Sequence, residues 1–234
     1  MKTRTVITLA ILLPLASHAA STATYTYNIH TAIPDNNGIG MINTQWVTTP
    51  ITSISGINIQ LTLAGGWCGD VYAYLTHDSG FVVLLNRPGR SLDDPFGSGA
   101  ANLSVNFADN ATNDIHTNIP NTGTANGIYQ PDARMIDPDD ALDTSPRTAF
   151  LSSFDGLDAN GDWTLFVADV ATGDIMTLDS WSLTVTGVPE PSAATLAVLG
   201  MSGLLLRRRR HEVPAQSSPP LDRHANDPLC SEAL

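Results

Sequence analysis

Between residues 20 and 187 the chain sustains no helical period; its apolar residues recur at every second position instead. Ile57, Ile59, Leu61 and Leu63 alternate with Asn58, Gln60 and Thr62, and Val71, Ala73 and Leu75 alternate with Tyr72 and Tyr74. Alternation of this kind puts one face of an extended chain into a core and the other into water. Residues 81–85 form an unbroken apolar run, as expected of a strand covered on both faces. Period-two patterning returns at Leu103, Val105 and Phe107, at Trp163, Leu165 and Val167, and at Trp181, Leu183 and Val185. Turn sequences punctuate these runs: THDSG (76–80), NRPG (86–89), DANG (158–161) and DVATGD (169–174). The pattern predicts an all-β fold, an antiparallel β-sandwich or jelly roll of about eight strands, with one short hydrophobic helix near the C-terminus. Trp163 and Trp181 are expected to be buried on neighbouring strands. Residues 91–147 are poor in apolar side chains and are expected to carry long loops.

Charge narrows the partners. The same region holds four arginines and 18 aspartates, with no lysine and no glutamate, a net charge of −14. Such a surface excludes nucleic acid and anionic surfaces, which need basic patches. Aspartate without glutamate suits turns, and it also suits calcium. Cys68 is the one cysteine of this region and is expected to be a buried free thiol; Cys230 lies far downstream, so no disulfide framework supports the fold.

Residues for catalysis do not assemble. G-x-S-x-G is absent, and His211-Glu212 lacks the second histidine of H-E-x-x-H. His77 lies beside Asp78 and Ser79, too close in sequence for a triad, whose members converge from separate segments. It is expected to be a solvated turn histidine. Asp70 is expected to satisfy backbone donors at the start of a strand. The densest group of oxygen donors is FDGLDANGDW, with Asp155, Asp158, Asn160 and Asp162. Two explanations stand: a calcium loop built from those four side chains, or a glycine-containing turn that needs no metal. The acidic run Asp137, Asp139, Asp140 and Asp143 reads as a solvated loop.

The two ends carry addresses. Lys2 and Arg4 precede an apolar run (6–16) and the small-residue site Ser17-His18-Ala19, a secretory signal peptide over residues 1–19 for cleavage by signal peptidase after Ala19. Near the other end, Val188-Pro189-Glu190-Pro191 precedes a short apolar segment (192–206) and Arg207, Arg208, Arg209 and Arg210. Its 14-residue apolar stretch from Ala193 to Leu206 would span about 21 Å as a helix, short of the ~30 Å hydrocarbon core. The prolines hold residues 188–191 extended, and the arginines keep their end on the cytoplasmic side. Residues 211–234, rich in Pro and Ser, are expected to be a disordered tail.

Two family resemblances follow from these residues. ISGINIQLTLAGGWCGDVYAYLTHDSGFVVLLNRPG (54–89) and FDGLDANGDWTLFVADVATGDIMTLDSWSLTVTG (154–187) resemble the P domain, or Homo B module, that accompanies subtilisin-like proprotein convertases and many bacterial secreted proteases. The similarity covers roughly residues 50–187 and is weakest in the loops 91–147. It implies a compact jelly roll without catalytic residues of its own. Residues 188–210 resemble the PEP-CTERM sorting signal of Gram-negative bacteria, which a membrane-embedded exosortase reads. That resemblance implies a transient anchor in the inner membrane, then release to the cell surface or extracellular matrix. The alternative is an ordinary membrane helix that is never processed. Together they predict a signal peptide (1–19), a P-domain-like sandwich (20–187), a sorting signal (188–210) and a tail (211–234). The expected function is that of a non-catalytic exported protein whose sandwich is a structural or binding module, with exopolysaccharide as a possible partner class. The alternative is an accessory domain that binds or stabilises a separate secreted serine protease.

Overall fold

The computed structural model describes residues 20–188. The expected signal peptide (1–19), Pro189, Glu190 and Pro191, the apolar segment 192–206, Arg207 to Arg210 and residues 211–234 lie outside the described residues. Among the described residues no helix is long and apolar enough to cross a membrane.

Nine strands build two facing sheets: β1 (Thr22–Ala32), β2 (Met41–Val47), β3 (Ile54–Ala64), β4 (Val71–His77), β5 (Gly80–Asn86), β6 (Asn102–Phe107), β7 (Thr124–Tyr129), β8 (Gly161–Asp169) and β9 (Thr177–Gly187). One sheet has the order β1-β9-β3-β6-β7, the other β2-β8-β4-β5. The all-β expectation holds, with one departure from antiparallel pairing. β7 runs parallel to β6, reached by a long connection that includes the single-turn helix α1 (Ile115–Asn118).

Alternation in sequence becomes alternation in burial. Ile57, Ile59, Leu61 and Leu63 of β3 enter the core from one sheet, and Trp163, Leu165 and Val167 of β8 enter it from the other. Trp163 and Trp181 are both fully buried, but they are not on neighbouring strands: β8 and β9 belong to opposite sheets. The turn between them carries the chain across the sandwich. Each indole N–H has an acceptor, the Ala159 carbonyl at 3.0 Å for Trp163 and Asn43 Oδ1 at 2.9 Å for Trp181. Cys68 is a buried free thiol, and burial, reinforced by the charge of Asp70, pushes its pKa up to about 12.

The hairpin between β4 and β5 closes at His77 and Gly80. A Cβ at Gly80 would lie 2.3 Å from the ring of Phe154, so only glycine lets that ring pack there. As the apolar run predicts, β5 is covered on both faces. A layer of loops closes its free edge: Asp132 N–H donates to the Leu84 carbonyl at 3.1 Å, Ala133 N–H to the Val83 carbonyl at 2.9 Å, and Val83 N–H to the Ala149 carbonyl at 3.2 Å.

That layer has few apolar residues and is held by buried charge instead. Arg134 bonds Asp114 Oδ2 at 2.9 Å and Asp132 Oδ1 at 3.2 Å, and donates to the carbonyls of Leu142 (3.0 Å) and Asp143 (2.8 Å). Burial works against its charge, but the hydrogen bonds and charges of Asp114 and Asp132 outweigh it, so its pKa is raised. Asp132 Oδ2 also accepts the N–H of Asn86 at 3.1 Å, which ties the cluster to the end of β5. Arg147 donates to the carbonyls of Pro131 (2.7 Å) and Asp132 (3.0 Å).

Truncating a buried tryptophan leaves a cavity the sandwich cannot close. Trp181→Ala should cost about 3–5 kcal/mol, read as a lowered urea midpoint with an unchanged slope. Wild-type stability in that variant would place Trp181 outside the core.

Candidate functional site

The loop richest in oxygen donors is held by its own hydrogen bonds. Asp158 Oδ1 accepts both the backbone N–H of Asn160 (3.0 Å) and its side-chain amide (2.6 Å), which holds the Asp158 carboxyl below its usual range. Asn160 Oδ1 is taken by the backbone N–H of Thr49 at 2.7 Å. Asp155 instead lines a surface cleft with Asp109, and its pKa is raised by burial and by the Asp109 charge. Among the described residues, no three His, Cys, Asp or Glu side chains converge to hold a metal ion. Asp158 and Asn160 thus form a self-bonded turn, and Asp155 stands with Asp109 instead.

His77 differs from its expected place in a solvated turn. It ends β4 and is buried, its ring stacked on Trp163 with centroids 4.1 Å apart and planes 4° from parallel. Nδ1 lies 2.9 Å from the Asp162 carbonyl and Nε2 2.6 Å from the Asp158 carbonyl. His77 thus clamps the ends of the 158–162 loop to the sandwich. His116 is equally engaged, with Nδ1 2.8 Å from Asp132 Oδ2 and Nε2 2.8 Å from the Arg90 carbonyl. In a hydrolase the distal nitrogen of a His–Asp pair faces a nucleophile. Here it faces a carbonyl oxygen, which only accepts hydrogen bonds, and the pair fastens loops.

An open polar site lies at the opposite end of β4. A cleft of about 380 Å³ is walled by Trp67, Pro95 and Phe96 and floored by Asp70 and Arg87, with Ala171, Thr172, Gly173 and Asp174 on its rim. Gly69 makes this possible: a Cβ there would stand 2.2 Å from the Phe96 carbonyl oxygen, so the 96–98 backbone can lie directly against it. The close approach sets Phe96, 70% exposed, beside Trp67, 37% exposed, and the indole N–H of Trp67 donates to the Phe96 carbonyl at 3.2 Å. Arg87, on the tight NRPG turn, donates Nε–H to the Gly69 carbonyl at 3.1 Å. Its guanidinium stays 3.9 Å from Asp70 Oδ1.

The carboxylates at this end are poorly satisfied. Asp70 does not bond local backbone donors as its position in the sequence suggests. Its facing charge is Arg87, and burial first, then Asp35 and Asp174, raise its pKa to about 6 against the pull of Arg87. Asp169 closes β8 beside it, where Val71 pairs with Asp169. It is 1% exposed; Oδ1 accepts a long bond of 3.4 Å from Ala171 N–H, and Oδ2 has no partner among the described residues. Burial is the main cause that lifts its pKa to about 6, with Asp70 and Asp35 adding to it. Aromatic walls over the Asp70–Arg87 pair make an open polar cleft, and Asp169 is buried outside its lining. One sequence signal pointed here: Asp169 continues the inward series Trp163, Leu165, Val167.

Residues 122–185 match the family model of the proprotein convertase P-domain. The match supports a P domain over β7, β8 and most of β9, and it takes in residues 122–147, part of the stretch where the sequence resemblance is weakest. No curated protein matches the chain. Among solved structures, the chain is similar to the serine protease of Aeromonas sobria at 18% identity and a TM-score of 0.42, over 76% of this chain and 28% of that one. The same protease in complex with the chaperone ORF2 matches at 17% identity and a TM-score of 0.41, over 72% of this chain and 27% of that one. The chain thus spans little more than a quarter of either structure's length.

Asp70 and Asp169 give the P-domain-like sandwich a pH dependence of defined sign. Both carboxyls rise from 3.8 to about 6 on folding, so the fold holds their protons more tightly than the unfolded chain does. The stability this contributes is fully present below about pH 4 and is lost as pH rises through about 6. Asp169→Asn, neutral at every pH, should melt several degrees above wild type near pH 8 and level with it near pH 4. An equal offset at both pH values would show that Asp169 is ionised without penalty.

Proposed function

We propose that the chain is an exported, non-catalytic binding module: a P-domain-like sandwich delivered by a signal peptide (1–19) and a sorting signal (188–210), and active at the cell surface or in the extracellular matrix. The observation that carries the binding role is the Trp67–Phe96 cleft, whose floor carboxylate, Asp70, meets only the guanidinium of Arg87, at 3.9 Å. Supporting the non-catalytic reading, both ring nitrogens of His77 face loop carbonyls, and those of His116 are taken by Asp132 and the Arg90 carbonyl. The surface charge of −14 between residues 20 and 187 favours neutral or cationic ligands, among them uncharged exopolysaccharide. A second reading, an accessory domain that binds or stabilises a separate secreted serine protease, is favoured by the P-domain match itself.

Export and sorting rest on the sequence. Val188 is the last described residue, exposed where β9 ends, so Pro189-Glu190-Pro191 follow directly from the end of the sandwich. A passive linker needs only flexibility; two prolines around one glutamate supply a fixed extended backbone and a distinctive charge, which is what a processing enzyme can grip. In this reading the apolar segment is a temporary anchor, and Arg207 to Arg210 stop its translocation.

Replacing Pro189 and Glu190 together by Ala should leave membrane insertion intact but trap the full-length protein in the inner membrane of a host with an active exosortase. Wild type should lose everything from about residue 190 onward. Equal anchoring of both forms would make 192–206 an ordinary membrane helix. For the binding role, the secreted wild-type protein used as bait should capture either polysaccharide or a protease, and Trp67→Ala with Asp70→Asn should weaken that capture by at least about tenfold, or 1.4 kcal/mol. Undiminished capture by the double variant would remove the cleft from the function.

A further inference from the structure

Each sheet of a sandwich has two edges, and exposed backbone there invites pairing with another chain. Three of the four edges here are protected. β1 carries a register shift between Asn28 and Thr31, with His30 in a left-handed conformation. β5 is covered by the 131–134 loop and Ala149. β7 has Asn126-Gly127 at its middle, a poor strand-forming pair. The fourth edge, β2, has none of these devices: seven residues, MINTQWV, with no charge, proline, glycine or bulge. Among the described residues nothing pairs with its outer side.

The side chains of β2 are arranged symmetrically. Ile42, Thr44 and Trp46 share the outer face, and Ile42 and Trp46 are 67% and 70% exposed. They stand two residues to either side of Thr44. An antiparallel copy of the same strand, centred on Thr44, therefore sets each Ile42 opposite the Trp46 of the other copy. The neighbouring strand extends the match, because Ile42 pairs with Phe166 and Trp46 with Asp162. A row across the junction would read Asp162, Trp46, then Ile42 and Phe166 of the second copy, and Phe166 stacks on Tyr74 at 4.7 Å and 12°. The two Asp162 carboxylates fall at opposite corners, three strand spacings apart across the sheet and four residues apart along it, about 19 Å in all and beyond a Debye length at physiological salt. A domain of net charge −14 repels its own kind over most of its surface; β2 is an uncharged, self-complementary stretch where two copies can meet.

We infer that β2 is a homodimer interface, joining two four-stranded sheets into one eight-stranded sheet about a two-fold axis at Thr44. A two-fold contact of this kind uses the same patch on both copies and closes on itself, so it yields a dimer rather than a fibre.

The purified full-length chain in mild detergent tests this by sedimentation velocity over about 1–100 μM. Wild type should shift from monomer to dimer across that range. Thr44→Arg sets two like charges opposite each other on the axis and should remain monomeric throughout, with unchanged near-ultraviolet circular dichroism. Directly opposed antiparallel residues have Cα atoms about 4.5–5.5 Å apart, within disulfide reach. Thr44→Cys in a Cys230→Ser background should therefore form a disulfide-linked dimer under mild oxidation, whereas Thr31→Cys on β1 should not. A wild type monomeric at every concentration, a dimer that survives Thr44→Arg, or cross-linking of Thr31→Cys as fast as Thr44→Cys would each overturn the interface; the second outcome would assign self-association to another surface or to a segment outside residues 20–188.

Discussion

The guanidinium of Arg134 is the fixed point around which half of the sandwich is organised. Buried without counter-charges, it would cost several kcal/mol; held by Asp114, Asp132 and the carbonyls of Asp132, Leu142 and Asp143, it binds together three stretches of chain. From Asp132 the cluster reaches Asn86 at the end of β5 and His116 on α1. The loop layer it secures closes the free edge of β5, and β5 runs straight into the turn that presents Arg87 to the cleft. Binding geometry at one end of the molecule thus depends on a charge cluster in the loop layer beside it. Removing one member would strand the others in a dry site, so the cluster is expected to form or fail as a unit.

What the sequence made legible follows from where the core is purely apolar. β3, β4, β5, β6, β8 and β9 announce themselves because their inward positions are Ile, Leu, Val and Trp. β2 does not, because its inward positions are Met41, Asn43 and Gln45; Asn43 is there to accept from the indole of Trp181, a need that exists only once the two sheets have met. The inward side of β1 is largely tyrosine, whose rings pack while its hydroxyls blur the pattern. Trp163 and Trp181 could be seen to be buried, but not to lie in different sheets, since alternation fixes a face and not a partner.

The candidate site was harder to read for the same reason. Asp158 and Asn160 have a spacing that serves a calcium loop or a self-bonded turn equally well; in the fold they bond each other while Asp155 faces the cleft it shares with Asp109. His77 looked solvated because its sequence neighbours are polar; its real neighbours, Trp163 and the 158–162 carbonyls, lie more than 80 residues away. Asp70 and Asp169 are each ordinary in sequence. Burial raises both carboxyls, and the pairing of β4 with β8 adds the charge of Asp70 to the surroundings of Asp169.

The order β1-β9-β3 has a consequence in time. The strand between β1 and β3 is the last to be made, so a chain emerging from the ribosome exposes both strands for well over a hundred residues of synthesis before their common partner appears. The larger sheet cannot close early. Folding is therefore postponed until the sandwich is essentially complete, a delay that keeps the chain threadable while it is still being made.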